Sequence, residues 1–164
     1  MAACSRLRGE FTLRSGASAS EYFDKYRFEG DPALLARVVD RMVLLVPVSP
    51  QMLGGLELGG VPLATLLGQR TGLPVVFVRK QAKDYGTKRL AEGDDPAGRH
   101  VVLIEDVITT GGAVRSAATA LRALGATVDT VVCVIDREHP DGNLLAGSGI
   151  HTHAVLTRSL LDTA

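Results

Sequence analysis

The stretch "HVVLIEDVITTGGAV" (His100–Val114) joins an apolar run to two adjacent acids and a glycine turn. Val101–Ile104 consists of β-formers and is typical of a buried strand. We expect this strand to stop at Ile104, so that Glu105 and Asp106 emerge at the edge of a sheet. The turn Thr109–Gly112 then leads into a helical pattern. Two carboxylates at this point suggest a binding site, although an ordinary strand–helix turn with surface acids remains the alternative.

In the rest of the chain, short apolar runs alternate with segments whose apolar residues have helical spacing. Four runs predict buried strands, at Met42–Val46, Val75–Val78, Val101–Ile104 and Val131–Ile135, and a weaker fifth lies near Ala154–Leu156. Helical spacing occurs around Leu34, Val38 and Met42, over Val61–Arg70 and over Ala113–Leu124. This alternation predicts an α/β fold with a mostly parallel central sheet flanked by helices, as a single domain over residues 1–164. Ligands of such sheets bind beyond the carboxyl ends of the strands.

Composition limits the classes of partner. The chain has 164 residues, and Lys plus Arg equals Asp plus Glu at 18 each, so net charge indicates neither a nucleic-acid nor a membrane partner. Cys4 and Cys133 are far apart and have neither metal-ligand nor redox spacing, which favours a reducing, cytoplasmic location. The sequence offers no dedicated metal-ligand set.

The segment after the acids has the features of an anion site. Backbone N–H groups at a helix N-terminus bind phosphate well, and glycines in Thr109–Gly112 let the backbone come close. Glu105 and Asp106 are acceptors suited to sugar hydroxyls. The pattern is neither a Walker loop nor G-x-G-x-x-G. We therefore expect a phosphorylated ribose.

These residues also carry a family resemblance. "VVLIEDVITTGG" resembles the phosphoribosyl-diphosphate (PRPP) signature of the type I phosphoribosyltransferases. The resemblance implies that Glu105 and Asp106 face the ribose 2′ and 3′ hydroxyls. It also implies that the 5′-phosphate is wrapped by Val107, Ile108, Thr109, Thr110, Gly111, Gly112 and Ala113.

A long polar segment, "RKQAKDYGTKRLAEGDDPAG", separates two of the predicted strands and is rich in basic residues. Such loops are often only solvated surface, but a mobile cationic lid is a natural counterpart of PRPP. Its first part is similar to the flexible catalytic loop of the orotate phosphoribosyltransferases. That similarity implies that Lys83 stabilises the departing pyrophosphate, that Arg79 and Lys80 bind the diphosphate, and that Tyr85 belongs to the same site.

Three further segments are similar to the same family. They are "GEFTLRSGASASEYFD" (Gly9–Asp24), "GGVPLAT" (Gly59–Thr65) and "VIDREHPDG" (Val134–Gly142). The resemblance implies that Arg14 contacts substrate and that Arg137 pairs with the orotate carboxylate. It further implies Mg²⁺ as cofactor and a homodimer in which the lid acts across the interface. The chain departs from the family in its short start before Gly9, which predicts a reduced N-terminal hood.

Two other functions remain open at this point. A phosphoribosyltransferase for another base would share the loop Glu105–Ala113, and only Arg14 and Arg137 argue against it. A regulatory protein that binds PRPP would keep the same loop without the chemistry. A receiver domain is a poorer match, because no acids stand at Val46, the end of the first predicted strand.

Overall fold

The computed structural model describes residues 6–12, 16, 18–81 and 90–163. The strands are β1 (Arg6–Thr12), β2 (Ser18–Phe23), β3 (Met52–Leu56), β4 (Val75–Val78), β5 (Ala91–Gly93), β6 (His100–Ile108), β7 (Thr127–Asp136) and β8 (His151–Thr157). The helices are α1 (Tyr26–Glu29), α2 (Pro32–Val43), α3 (Gly60–Thr71), α4 (Gly112–Ala123) and α5 (Arg158–Asp162), with one 3₁₀ turn at Ala146–Ser148.

The central sheet has six strands in the order β5-β4-β3-β6-β7-β8. All neighbours are parallel except the edge pair β4 and β5, which is antiparallel. Helices α2 and α3 contribute to the core on one face, and α4 to the core on the other. The predicted α/β class with a mostly parallel sheet is therefore confirmed, and continuous apolar strands fit burial on both faces.

The predicted strand at Met42–Val46 is wrong. The helix α2 begins after Asp31, whose carboxylate accepts from the N–H groups of Ala33 and Leu34, and it continues through Val43. Met42 is fully buried as the last residue of its apolar stripe. The helical period starting at Leu34 thus outcompetes the short β-forming run at its end.

The true first strand of this sheet is β3, which the apolar pattern did not reveal. Its centre is Gly54-Gly55, and glycine is a poor indicator of a strand. Here both glycines allow close packing: a Cβ at Gly54 would lie 2.9 Å from Leu103 Cδ2, and one at Gly55 would lie 2.8 Å from Ala64 Cβ. Helix α3 can therefore approach the strand closely.

The strand β6 does not stop at Ile104, as expected, but continues through Ile108. Val107 and Ile108 pair with Ile135 and Asp136 of β7, because the apolar pattern resumes after the acids. Glu105 and Asp106 consequently lie inside the strand rather than beyond it.

The segment before the central sheet forms a separate hairpin. β1 and β2 pair antiparallel, and the rings of Phe11 and Tyr22 lie 5.5 Å apart. The short helix α1 follows, and its Phe28 is fully buried in the core beneath α2 and α3. This anchor brings the residues around α1 up to the sheet. Across the described ranges, every helix falls short of the length and hydropathy that spanning a bilayer requires.

Candidate active site

The glycine turn lies between β6 and α4, as expected from the sequence. Gly111 has a positive φ of 69°, and a Cβ at this position would lie 2.6 Å from Leu145 Cδ2. Glycine is therefore needed both for the turn and for packing. Thr109 and Thr110 are exposed, and Ala113 is exposed in the first turn of α4. The arrangement gives a polar loop at a helix N-terminus, where free N–H groups favour an anion.

Arg115 holds this loop in place through hydrogen bonds to backbone carbonyl groups. Its Nη1 donates to the carbonyl oxygens of Thr110 (2.9 Å) and Leu144 (3.3 Å). The guanidinium thus ties the turn to the segment that follows β7. Arg115 could not be singled out from the sequence, because its contacts are made to backbone atoms.

Glu105 and Asp106 are both buried, with exposed fractions of 8% and 2%. Glu105 Oε1 accepts from the N–H of Asp106 at 3.0 Å, and Asp106 Oδ1 accepts from the N–H of Val107 at 2.5 Å. Burial, reinforced by the neighbouring Asp106 carboxylate, raises the pKa of Glu105 to about 9. Burial alone would raise the pKa of Asp106, but hydrogen bonds from Glu105 and Lys25 outweigh it and lower that pKa. The pair therefore combines one neutral acid with one carboxylate.

Asp106 is enclosed by residues from two other segments of the chain. Gly59, just before α3, packs so closely that a Cβ there would overlap the Asp106 carboxylate. On another side, Lys25 forms an ion pair through its Nζ with Asp106 Oδ2. Burial would lower the pKa of Lys25, but the Asp106 carboxylate outweighs this and raises it.

Glu29, one turn after Lys25, belongs to the same group. Its Oε1 is buried and has no hydrogen-bond partner among the described residues. Burial and the charge of Asp106 raise the pKa of Glu29 to about 7. Neither Lys25 nor Glu29 was predicted from the sequence as part of the site. Both residues lie just after the family-like segment Gly9–Asp24, and only the fold brings α1 against β6.

Arg79 and Lys80 follow the carboxyl end of β4. Together with Glu57 and Ala113 they line a cavity of about 220 Å³. The N–H of Lys80 donates to Glu57 Oε2 at 2.9 Å, which connects this end of β4 to the end of β3. Both predicted diphosphate cations therefore lie beside the N-terminal turn of α4.

Arg137 lies directly after β7, as expected. Its N–H donates to the carbonyl oxygen of Ile108 at 2.9 Å, and its side chain is exposed. The next residue, Glu138, has a positive φ of 47° and accepts from the N–H of Ser159 at 2.7 Å. Glu138 and the turn Thr109–Gly111 line a second cavity of about 340 Å³.

Three predicted site residues, Arg14, Lys83 and Tyr85, lie outside the described residues. The expected long loop between the strands at Val75 and Val101 is interrupted by β5, which pairs with β4. The brief strand β5 contains a glycine with positive φ and gave no apolar run in the sequence.

Comparisons with known proteins agree with this geometry. A family model, the phosphoribosyl transferase domain, matches residues 34–146. An orotate phosphoribosyltransferase of Nocardioides sp. strain JS614 is 61% identical over 159 residues, covering 97% of this chain and 89% of that protein. The structure of orotate phosphoribosyltransferase from Aeropyrum pernix has a TM-score of 0.83 at 35% identity, covering 97% of this chain and 92% of that chain.

A third relative was solved with a ligand. It is the orotate phosphoribosyltransferase of Mycobacterium tuberculosis in complex with 5-phospho-α-D-ribosyl 1-diphosphate. Its TM-score is 0.80 at 28% identity, with 98% of this chain and 93% of that chain covered. By its sequence matches over nearly its whole length, this chain belongs to the orotate phosphoribosyltransferase family of phosphoribosyltransferases.

Proposed function

We propose that the chain transfers the 5-phosphoribosyl group of PRPP to orotate, giving orotidine 5′-monophosphate and pyrophosphate. The reaction is a step in the synthesis of pyrimidine nucleotides. The observation that carries the proposal is the acid pair Glu105–Asp106, set directly before a glycine turn at a helix N-terminus, in a chain of this family.

The acid pair binds the ribose, and the glycine turn binds its 5′-phosphate. Asp106, as the ionised member, accepts hydrogen bonds from ribose hydroxyls, and the protonated Glu105 adds a donor. The loop Val107–Ala113 receives the 5′-phosphate through backbone N–H groups and the threonine hydroxyls. This fixes the sugar with its anomeric carbon exposed to the second substrate.

The protein supplies little covalent chemistry in this reaction. An orotate ring nitrogen bonds to the anomeric carbon and releases its proton to water, while the bond from that carbon to the diphosphate oxygen breaks and pyrophosphate leaves. Charge accumulates on the leaving diphosphate, so cations there stabilise the transition state more than the ground state. We assign this role to Arg79 and Lys80 beside α4 and to Lys83 from the lid.

Two arginines are proposed to select the base. Orotate differs from uracil by its carboxylate, and the planar guanidinium of Arg137 can bind a carboxylate through two parallel hydrogen bonds. Its place after β7, hydrogen-bonded to the end of β6, puts it at the carboxyl edge of the sheet. We assign Arg14 a second contact with substrate.

Mg²⁺ is proposed to arrive with PRPP rather than on a protein site. The two acids near the ribose are poor ligands for a metal ion. The Asp106 carboxylate is already paired with Lys25, and the high pKa of Glu105 keeps that residue neutral. Mg²⁺ prefers phosphate oxygens and retained water. When bound, it neutralises charge on the diphosphate.

We further propose a homodimer in which the lid of one subunit reaches the partner's site. Family resemblance supports this, and Leu44 and Val48 are large apolar side chains left exposed after α2.

A cytoplasmic location stays a proposal that rests on the cysteine spacing in the sequence.

The test is a substrate comparison. Purified protein with PRPP and Mg²⁺ should consume orotate, followed by ultraviolet absorbance, and should leave uracil, hypoxanthine and adenine almost unused. Preference for a base without a carboxylate would overturn the orotate assignment. Tight PRPP binding with no turnover of any base would instead indicate a regulatory protein.

A further inference from the structure

Lys25 contacts the acid pair of the PRPP signature, although it lies about 80 residues before that pair in the sequence. Its Nζ pairs with Asp106 Oδ2, where the Lys25 side chain is 31% exposed and that of Asp106 only 2%. The ammonium group also lies 5.2 Å from the ring centroid of Tyr26. Lys25 therefore stands between solvent and the carboxylate to which the ribose is assigned.

The carboxyl group of Glu29 explains why this cation is needed. The charge of Asp106 helps to raise the pKa of Glu29, so the two carboxyl groups are close together, and Glu29 Oε1 is buried without a hydrogen-bond partner among the described residues. Two neighbouring carboxyl groups cannot both stay ionised at low cost. Without the Lys25 cation they would hold a proton in common up to a higher pH, and an oxygen that shares a proton is a poorer acceptor.

We propose that Lys25 is a positioning residue for the transfer reaction, whose ammonium group fixes the Asp106 carboxylate as an acceptor for the ribose hydroxyls. The proposal rests on the proposed function, because it assigns the ribose to Asp106. Lys25 acts through Asp106 and is not a catalytic residue itself. The buried ring of Phe28 holds α1 against the core and so keeps Lys25 at this distance.

Charged and titratable groups around Asp106 come from several elements. On β6 the neighbour is Glu105, and on β7 it is Cys133, a buried thiol whose pKa is raised mainly by burial and in part by the charges of nearby carboxylates. The segment from β2 to the end of α1 provides Asp24, Lys25, Tyr26 and Glu29. Arg27 also lies in this segment and pairs with Asp24, whereas Lys25 is the basic side chain that pairs with Asp106. Its loss should therefore make the remaining acids hold protons more tightly.

The experiment compares Lys25→Met and Lys25→Arg with the parent protein. For each, kcat and KM for PRPP and for orotate are measured between about pH 8 and about pH 5.5, a range in which a change in protonation becomes visible. Arg70→Met is the matched control, since it removes a cation from an exposed ion pair with Asp40, outside the site.

Lys25→Met should lower kcat/KM for PRPP by about tenfold or more near pH 6, with a smaller loss near pH 8. KM for orotate should change little, and Lys25→Arg should restore most of the activity. A loss that is the same at every pH, or no greater than that of Arg70→Met, would overturn the proposal. Equal losses for both substrates would also overturn it.

A second pair of variants covers the case in which Lys25→Met does not fold. Glu29→Gln and the double variant Lys25→Met with Glu29→Gln differ only in the cation, and the double variant keeps the parent's formal charge. Because Lys25 lowers the pKa of Asp106 whether or not residue 29 can ionise, the double variant should lose PRPP use toward acid pH relative to Glu29→Gln, and parallel pH profiles would overturn the proposal. If the parent fails to use orotate, calorimetric titration with PRPP across the same pH range still tests the role of Lys25. That result would separate failure of the proposed function from failure of this inference.

Discussion

At the scale of single residues, Glu105 is a buried acid that the folded chain keeps protonated. Its pKa is raised to about 9, mainly by burial, and that of Glu29 is raised to about 7 for the same first reason. A raised carboxyl pKa means that the folded state binds a proton more tightly than the unfolded state. Stability from this source is complete below the unfolded value and is lost as pH rises through the folded value.

We therefore expect the free energy of unfolding to fall between about pH 5 and about pH 9, by more than about 1 kcal/mol. Asp106 does not oppose this trend, because its lowered pKa acts below this window, and the raised pKa of Lys25 acts above it. Glu105→Gln should flatten the curve, since the amide cannot ionise. Urea unfolding at a series of pH values measures this, and an equally steep decline in the variant would contradict the assignment.

Arg137 is the residue on which the choice of base depends. If it pairs with the orotate carboxylate under a closed lid, losing it should cost roughly 2–5 kcal/mol. Arg137→Ala should then lower kcat/KM for orotate by about 30-fold to several thousand-fold, at about 1.4 kcal/mol per factor of ten. PRPP affinity, measured by calorimetry, should stay nearly unchanged. A variant that uses orotate as well as the parent would refute this role.

At the scale of elements, the strands and helices predicted correctly from sequence are those whose apolar residues follow a single period throughout. The strand β4 and the helix α4 match their predicted ranges to within about one residue, since their apolar positions carry a single period. The strand β3 was missed because Gly54 and Gly55 hide its apolar character, and the stretch after Met42 was misread because a helix ended in β-forming residues.

The turn before α4 depends on a side chain that the patterns did not reveal. Arg115 donates to the carbonyl oxygens of Thr110 and Leu144, and each such bond contributes about 0.5–1.5 kcal/mol. Arg115→Met keeps the stem but removes both bonds, so the turn should be less well ordered for a phosphate. We expect PRPP affinity to fall by roughly fivefold to a hundredfold, on the same conversion of energy to affinity.

Calorimetric titration with PRPP checks this, with Arg70→Met as the control for loss of a surface cation. The melting temperature should drop only modestly, because the core side of α4 is unchanged. An unaltered PRPP affinity would show that the turn holds its shape without the guanidinium.

At the scale of the whole molecule, the site combines parts that the sequence can and cannot reveal. The acid pair and glycine turn lie together in one contiguous motif, so their chemistry was visible before the fold. Lys25 and Glu29 join them only because the buried Phe28 brings α1 against β6. A contact between segments this distant leaves no periodic or spacing signal, so the charge balance around Asp106 could not be predicted.

The proposed dimer allows a test that uses two inactive proteins. Lys83→Ala removes the lid cation, and Asp106→Asn removes the acceptor for the ribose, so each variant alone should have very low activity. In a mixture exchanged through reversible dissociation, half of the dimers contain one subunit of each kind. If the lid acts across the interface, one site of such a dimer has both defects and the other has neither.

Activity in an equal mixture should then rise to about a quarter of the parent value, since half of the dimers each regain one of two sites. If the lid instead covers the site of its own subunit, every site keeps one defect and mixing recovers nothing. Steady-state turnover of orotate before and after exchange distinguishes the two cases, with sedimentation used to verify that mixed dimers form. A monomeric protein, or mixed dimers without recovered activity, would contradict the shared site, whereas recovery would mean that catalysis requires the pair of subunits.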